Sequence, residues 1–215
     1  MKAFIFDLDG VIVDTAKYHY LAWKNLANEL GFDFTEEQNE QLKGVSRVRS
    51  LEILLNIGKV ELSEEKKEEL LLEKNNEYLE YVNKMNTEEI LPGIVELLDF
   101  LEYQKIQFAL GSASKNAPLI LKKVGLYHKF SAIVDGNDVS KAKPDPEVFL
   151  IAAKKLNVDP QDCIVIEDAL AGIQAANIAG MTSVAIGDKK LLHEANYNLA
   201  DTEELNVDFV KNLII

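Results

Sequence analysis

Two aspartates close to the start of the chain are the residues whose spacing first suggests chemistry. Asp7 and Asp9 lie two positions apart, directly after the apolar run 3–6, and Gly10 follows them. Like charges at the end of a buried strand repel each other and lose hydration, unless a cation or a shared proton offsets the cost. The alternative is a strand followed by an Asp-Gly turn with both carboxylates in water, and this stretch alone favours neither interpretation.

Polar side chains also follow later apolar runs or precede a predicted helix: Ser112, Lys143, and the pair Glu167 and Asp168. Each has an ordinary structural explanation, because serine caps helices, Lys-Pro forms surface turns and acidic residues favour a helix N-terminus. Together they supply carboxylates, a hydroxyl and an ammonium group. Such groups can hold a divalent cation and a transferring phosphoryl group, with a carboxylate oxygen in line to attack.

Short apolar runs separated by helical patterns predict where these side chains meet. The runs are 3–6, 107–110, 132–134, 163–166 and 182–185. Strands that alternate with helices predict a parallel sheet with right-handed crossovers. Ligands bind such sheets at the carboxyl ends of the strands, so we expect the polar groups at one edge.

A block that is helical throughout interrupts this pattern after the first strand. The sequence therefore predicts an α/β fold with two domains. Residues 1–14 and 88–215 form a core on a Rossmann-like parallel sheet, and residues 15–87 form an inserted helical domain. Two domains joined by a double linker are typical of a hinge.

The composition is that of a globular protein with an acidic surface. The 215 residues are 47% hydrophobic and carry a formal net charge of −13, from 36 acidic and 23 basic residues. We expect no nucleic-acid partner and no anionic membrane surface, because both require a basic face. The chain has no apolar segment of bilayer length and no signal-peptide pattern, so we expect a cytoplasmic protein. No exposed apolar stripe is evident, which favours a monomer, and Cys163 is expected to be a buried thiol.

The pattern Asp7-x-Asp9-Gly10, Ser112, Lys143 and Glu167-Asp168 resembles the four motifs of the haloacid dehalogenase-like (HAD) phosphotransferase superfamily. The helical insertion is similar to the small helical cap of that superfamily. A closer resemblance, to its sugar-phosphate mutases, depends on further segments that extend over nearly the whole chain and are weakest in the last thirty residues. Those segments are Phe6-Asp7-Leu8-Asp9-Gly10-Val11-Ile12, Thr15-Ala16-x-Tyr18-His19 with Trp23, residues 39–47, residues 112–116 and Ala171-Gly172-Ile173-Gln174-Ala175.

The resemblance implies roles for the residues at the strand ends. Asp7 would be the nucleophile that forms an aspartyl phosphate, and Asp9 the general acid and base. A Mg²⁺ ion would be bound by Asp7, by the backbone carbonyl of Asp9 and by Asp168, with Glu167 as a ligand or as an acceptor behind the ligands.

The resemblance also implies two places for phosphate. Ser112, the amide of Ala113 and Lys143 would hold the phosphoryl group in transfer. A second phosphate would be bound by Arg47 on the cap and, from the core, by Ser114, Lys115 and Asn116.

Other cap residues match positions that touch the sugar or control cap movement in the superfamily. Gly44 belongs to the loop that carries Arg47, and Thr15 matches the hinge. Trp23, His19 and Lys74 would face the substrate. Their alternatives are a tryptophan of the cap core, a surface histidine and a solvated lysine.

The implied reaction interconverts β-D-glucose 1-phosphate and glucose 6-phosphate through bound β-glucose 1,6-bisphosphate. One alternative is a phosphatase of the same fold, acting on a sugar phosphate or on phosphoglycolate, in which water takes the phosphoryl group. Another is a catalytically silent binding domain, which the intact set of polar groups disfavours. The cap is the part of the chain that distinguishes the first two.

Overall fold

A parallel sheet forms the centre of the molecule, whose computed structural model describes residues 2–214. Within those residues the sheet has six strands: β1 (Ala3–Phe6), β2 (Phe108–Gly111), β3 (Ala132–Val134), β4 (Cys163–Glu167), β5 (Thr182–Ile186) and β6 (Tyr197–Leu199). Their spatial order is β3-β2-β1-β4-β5-β6, so the chain moves outward from β1 first in one direction and then in the other. The predicted parallel α/β fold is confirmed, and its direction changes beside β1, where such sheets bind ligands.

Strand β1 is buried on both faces, which is why its sequence is a continuous apolar run. Phe4 and Phe6 point into one hydrophobic cluster, while Ala3 and Ile5 point into the cluster on the opposite face. Five helices cover the two faces: α5 (Ile94–Tyr103), α6 (Ala117–Lys123) and α9 (Val207–Ile214) on the first, and α7 (Glu147–Leu156) and α8 (Leu170–Ile178) on the second.

The segment between β1 and α5 is built from the remaining helices, as predicted. These are α1 (Ala16–Glu29), α2 (Glu36–Asn39), α3 (Arg47–Gly58) and α4 (Glu64–Val82). They enclose a separate hydrophobic cluster that includes Trp23, Phe34 and Leu54. The described residues include no helix that is both long and apolar enough to cross a membrane. The boundaries of the two domains stay a prediction, and residues 1 and 215 of the predicted core lie outside the described residues.

Two core elements were not predicted from the sequence. Strand β6 forms one edge of the sheet, and its residues are half-buried or exposed. Helix α9 contacts α5, and its Val210, Phe209 and Leu213 belong to or pack against the hydrophobic cluster that includes α5. Both lie in the last thirty residues, where the sequence resembled the superfamily least.

Two linker segments connect the helical insertion to the sheet and lie side by side. The backbone amide of Asp14 donates to the carbonyl of Glu89, and Val13 forms a bridge with Ile90. The carboxylate of Glu89 also accepts hydrogen bonds from Lys17 at 2.7 Å and from the Tyr18 hydroxyl at 2.5 Å. The start of α1 is therefore tied to the returning linker.

Candidate active site

The carboxyl ends of β1, β2 and β4 open into a cavity of about 440 Å³ between the sheet and the helical insertion. Asp7 follows β1, Ser112 follows β2, and Asp168 follows β4. The backbone amide of Asp7 donates to the carbonyl of Ile166 at 2.9 Å, which extends the pairing of β1 and β4 to the first carboxylate. The cavity is large enough for a small phosphorylated metabolite.

Lys143 is buried between two carboxylates and fixes both of them. Its Nζ lies 2.6 Å from Asp7 Oδ1, 2.5 Å from Glu167 Oε1 and 3.1 Å from the carbonyl oxygen of Gly111. Burial alone would lower the pKa of Lys143, but the adjacent carboxylates of Asp7 and Glu167 raise it above its ordinary value. Lys143 therefore stays charged and holds Asp7 in one orientation.

Three carboxylates, of Asp7, Glu167 and Asp168, place oxygens within 4.8 Å of one another and could hold a metal ion. Against the one ammonium group of Lys143 they leave two negative charges, which is the charge that one divalent cation neutralises. Burial, followed by repulsion from Glu167 and Asp7, raises the pKa of Asp168 well above its ordinary value. A cluster of carboxylate oxygens with this unbalanced charge fits a hard divalent cation such as Mg²⁺.

The hydrogen bonds of Glu167 favour one of its two predicted roles. Its Oε1 accepts from Lys143, and its Oε2 accepts from the backbone amides of Asp168 and Ala169, both at 3.0 Å. Among the described cations, Asp168 has an ion-pair contact only with Lys43, whose Nζ lies 4.0 Å from Asp168 Oδ2. We therefore expect Asp168 to bind the cation directly and Glu167 to act behind the ligands.

Asp9 lies beside Asp7 in a different environment. Its backbone amide donates to Asp7 Oδ2 at 3.0 Å, and its own Oδ1 is buried without a hydrogen-bond partner among the described residues. Burial, and then repulsion from Asp7, raises the pKa of Asp9 to about 8. A carboxyl group that keeps its proton near neutral pH can act as a general acid.

The loop after β2 forms the wall of the cavity that was predicted to hold phosphate. Ser112 is buried, and its Oγ accepts from the backbone amide of Ser114 at 3.1 Å. The Oγ of Ser114 accepts in turn from the amide of Asn116 at 3.3 Å. Ala113 and Lys115 also line the cavity, so all five residues predicted from this loop face it.

Lys74 is buried in the cap, so the alternative of a solvated lysine is wrong. Its Nζ lies 2.8 Å from His19 Nδ1, 4.6 Å from the ring centre of Trp23 and 4.8 Å from that of Tyr78. Burial, and then the charge of Arg47, lowers the pKa of Lys74 to about 7. These contacts fix the ammonium group at the cavity wall, to which Lys74, His19 and Trp23 all belong.

Trp23 and His19 were each predicted either to face the substrate or to have an ordinary structural role in the cap. Trp23 belongs to the hydrophobic cluster of the cap and also lines the cavity, so both descriptions apply to it. His19 is only half-buried as a residue, but its ring stacks on Tyr78 with the centres 4.0 Å apart. Burial, with the charges of Lys74 and Arg47, lowers the pKa of His19 well below its ordinary value, so the neutral ring can accept from Lys74.

The cap loop before α3 touches the core at Gly44. This glycine has φ +72°, and a Cβ there would lie 2.7 Å from the Cβ of Ala169. Arg47 begins α3 and reaches the cavity wall. Thr15 is buried at the N-terminus of α1 and is not among the cavity-lining residues, so its role as a hinge stays a prediction.

Sequence reasoning missed several residues of the cavity wall, including Lys43, Ser50 and Lys141. The wall carries more positive than negative groups, although the chain has a net charge of −13. Among the described residues, six cationic side chains line it against three carboxylates: Lys43, Arg47, Lys74, Lys115, Lys141 and Lys143 against Asp7, Asp9 and Asp168. Three of the cations are paired with carboxylates outside the wall, Lys43 with Glu40, Lys141 with Asp145 and Lys143 with Glu167, so the excess comes from Arg47, Lys74 and Lys115. The total charge of the sequence hides this local excess, and only the fold reveals it.

The fold and this site define a phosphoryl-transfer enzyme of the type found in one large family. The chain belongs to the haloacid dehalogenase-like hydrolases, whose family model matches residues 1–180. It is 44% identical to the β-phosphoglucomutase of Bacillus subtilis over 212 residues, which cover 98% of this chain and 94% of that protein.

Solved structures and other relatives agree with this family. The crystal structure of β-phosphoglucomutase from Clostridium difficile superposes with a TM-score of 0.94 at 46% identity, covering 99% of this chain and 96% of that one. A phosphorylated carbohydrates phosphatase of Thermotoga maritima is 31% identical over 202 residues, 91% of each chain. Similar chains thus include both a mutase and a phosphatase.

Proposed function

We propose that the protein is a β-phosphoglucomutase, which interconverts β-D-glucose 1-phosphate and glucose 6-phosphate through an aspartyl phosphate and enzyme-bound β-glucose 1,6-bisphosphate. The observation that carries this proposal is the excess of cationic groups in the cavity wall of an acidic protein. A substrate with one phosphate needs fewer positive groups than an intermediate with two. The similarity to the Bacillus subtilis enzyme over nearly the full length supports the same conclusion.

The proposed reaction begins with Asp7. One of its carboxylate oxygens attacks the phosphorus of the bisphosphate, the bond between phosphorus and the sugar oxygen breaks, and an aspartyl phosphate forms. Lys143, the hydroxyl of Ser112 and the amide of Ala113 stabilise the charge on the phosphoryl oxygens. A Mg²⁺ ion held by Asp7, the carbonyl of Asp9 and Asp168 would, when bound, neutralise further charge there.

Asp9 moves the proton in both half-reactions. As a carboxylic acid it donates a proton to the sugar oxygen that leaves the phosphorus, and as a carboxylate it later accepts one from the attacking sugar hydroxyl. Its raised pKa suits the first of these steps. Arg47, Ser114, Lys115 and Asn116 bind the phosphate that is not being transferred, because guanidinium and amide donors match its oxygens.

The cap excludes water from the aspartyl phosphate. Water would otherwise take the phosphoryl group, and the enzyme would act as a phosphatase. A sugar-phosphate phosphatase is the second candidate function, since the Thermotoga maritima relative carries that activity in its name. The proposed difference lies in the cap, where Arg47 and Lys74 supply charge for a second phosphate.

The test is an assay of the purified protein with β-glucose 1-phosphate, Mg²⁺ and a trace of glucose 1,6-bisphosphate. We expect glucose 6-phosphate, measured by coupled oxidation, with little free phosphate. The α-anomer of the substrate serves as the control for specificity. Release of free phosphate in step with substrate consumption would instead support the phosphatase.

We also propose that the protein acts as a cytoplasmic monomer with sugar phosphates as its small-molecule partners. Its exposed large apolar side chains lie in different parts of the chain, such as Tyr103 on α5, Ile178 on α8 and Leu191 in the loop before β6, which supports a monomer. Cys163 is a buried thiol, as expected for a reducing compartment. Light scattering at assay concentration tests the oligomeric state.

A further inference from the structure

A hydrogen bond joins the cap to the core at the predicted second phosphate site. Asn116 Nδ2 donates to Asn75 Oδ1 at 3.0 Å, between residues 41 positions apart in the sequence. Asn116 lies at the start of α6 and lines the cavity. Asn75 lies on α4, directly after Lys74, and is not part of the cavity wall. The side chain of Asn75 therefore reaches the cavity through its hydrogen bond to Asn116.

The side chain of Asn116 is free to make this contact because it does not cap its own helix. Asparagine at an N-cap usually accepts a hydrogen bond from the second or third helical amide. Asn116 makes no such bond, and Pro118, at the second position of α6, has no amide hydrogen to offer. The backbone amide of Asn116 is held by the hydroxyl of Ser114, so the contact with Asn75 is what orients its side chain.

A carboxamide nitrogen carries two hydrogens, which explains what this contact can do. One hydrogen of Asn116 Nδ2 is used by Asn75, and the other stays available to an oxygen in the cavity. The same helix turn of α4 presents Lys74 to the cavity wall. The cap thereby supplies the ammonium group of Lys74 to the cavity directly, and through Asn75 it orients the amide of Asn116. Both contributions depend on where α4 lies against the core.

We propose that Asn75 is a positioning residue, which aims the amide of Asn116 at the phosphate that is not being transferred. This inference rests on the proposed function, because it assigns that phosphate to the site of Asn116. It makes the second phosphate site complete only when α4 rests on the core. Loss of Asn75 should therefore weaken phosphate binding and leave the chemistry at Asp7 intact.

The experiment measures KM and kcat for glucose 1,6-bisphosphate as activator in four proteins: the wild type, Asn75→Ala, Asn116→Ala and the double variant. We expect Asn75→Ala to raise KM about three- to tenfold, the range of one hydrogen bond, with kcat nearly unchanged. In the Asn116→Ala background, Asn75→Ala should add less than about a factor of 1.5, because its target is already absent. Hydrolysis of acetyl phosphate, which is too small to reach the second site, should be the same in the wild type and in Asn75→Ala.

Asn76→Ala is the matched control, since Asn76 is the exposed neighbour on the same helix. Thermal unfolding of each variant identifies any general loss of structure. The proposal is overturned if Asn75→Ala behaves as Asn76→Ala does, or if the effects of Asn75→Ala and Asn116→Ala multiply in the double variant.

Failure of the proposed function would look different from failure of this proposal. A wild-type protein that releases phosphate and makes no glucose 6-phosphate would overturn the mutase assignment. The same four proteins would then be compared by their KM for hydrolysis of a hexose bisphosphate, whose second phosphate is not transferred, with the same outcomes deciding the role of Asn75.

Discussion

Lys74 has a lowered pKa, which could not be predicted from its neighbours in the sequence. It lies in a run of charged and amide side chains on α4, where a lysine is normally solvated. Here the ring faces of Trp23 and Tyr78 and the Nδ1 of His19 replace its water. Aromatic rings and a neutral imidazole stabilise an ammonium group less than water does, so its pKa falls to about 7.

This lowered pKa predicts a pH dependence of substrate binding. Lys74 is charged below its pKa and neutral above it, and only the charged form attracts a phosphate dianion. We therefore expect the KM for glucose 1-phosphate to rise as the pH increases from 7 to 9, by at most about tenfold per pH unit. Steady-state kinetics over this range measure the effect.

Lys74→Met, which keeps the length of the side chain and removes the charge, separates this effect from other titrations. Other titratable groups lie near Lys74. They are Asp9, whose pKa is raised, His19, whose pKa is lowered, Arg47, and Tyr78, whose pKa is raised. In Lys74→Met we expect a high KM at pH 6 and a flatter rise above pH 7. Equal slopes in the wild type and the variant would contradict the role given to Lys74.

At the scale of elements, the loop before α3 shows how the cap is seated on the sheet. Gly44 adopts a positive φ and leaves no room for a Cβ against Ala169, at the start of α8. Lys43, on the same loop, lies 4.0 Å from Asp168, the expected cation ligand. The loop thus brings the cap to the end of β4, where the reacting groups lie.

Gly44→Ala should impair the seating of the cap and change the product of the reaction. The added Cβ lies 2.7 Å from the Cβ of Ala169, so either the loop or α8 must shift. Because a small misplacement in an active site costs up to about a hundredfold in rate, we expect a ten- to hundredfold loss of mutase kcat/KM. We also expect a larger share of free phosphate, measured in the same assay, since water enters more easily.

Gly31→Ala is the control for backbone strain. Gly31 also has a positive φ, of +89°, but a Cβ added there would have no other described residue within 4 Å beyond its chain neighbours. Both variants should lose about 1 kcal/mol of stability or more from the left-handed conformation, while only Gly44→Ala should change the product ratio. The double variant Gly44→Ala with Ala169→Gly, which restores space, should recover part of the mutase activity. No recovery would contradict the steric explanation.

The same scale shows which elements a sequence can predict. Strands β1 and β4 are buried on both faces, so their apolar runs and the carboxylates that follow them are visible in the sequence. Strand β6 is a half-exposed edge of three residues with no such run. Contacts between distant elements left no signal either, and the bond between Asn75 and Asn116 is one of them. Chemistry at the strand ends was therefore predictable, and the cap geometry was predictable only through the resemblance.

At the scale of the whole molecule, one site lies between the hydrophobic cluster of the cap and those of the sheet. The cap has its own cluster around Phe34 and Leu54, while the sheet has a cluster on each face. The cavity takes its wall from both parts, with Arg47 and Lys74 from the cap and Ser112 and Lys143 from the core. A ligand with two phosphates can bind both parts at once, whereas a single phosphate at the core site binds one.

This difference predicts unequal stabilisation by the two ligands. Glucose 1,6-bisphosphate at a hundred times its Kd should stabilise the folded protein by about 2.7 kcal/mol, which raises the Tm by roughly 5–10 °C for a chain of this size. Inorganic phosphate at the same molar concentration should raise it much less, because it cannot bridge the cap and the core. Differential scanning fluorimetry with Mg²⁺ present measures both shifts.

Arg47→Ala should reduce the bisphosphate shift towards that of phosphate, while Arg49→Ala, at an exposed residue of the same helix turn, should not. Equal shifts with the two ligands in the wild type would mean that the second phosphate does not engage the cap, and the wall of cationic groups would then need another explanation.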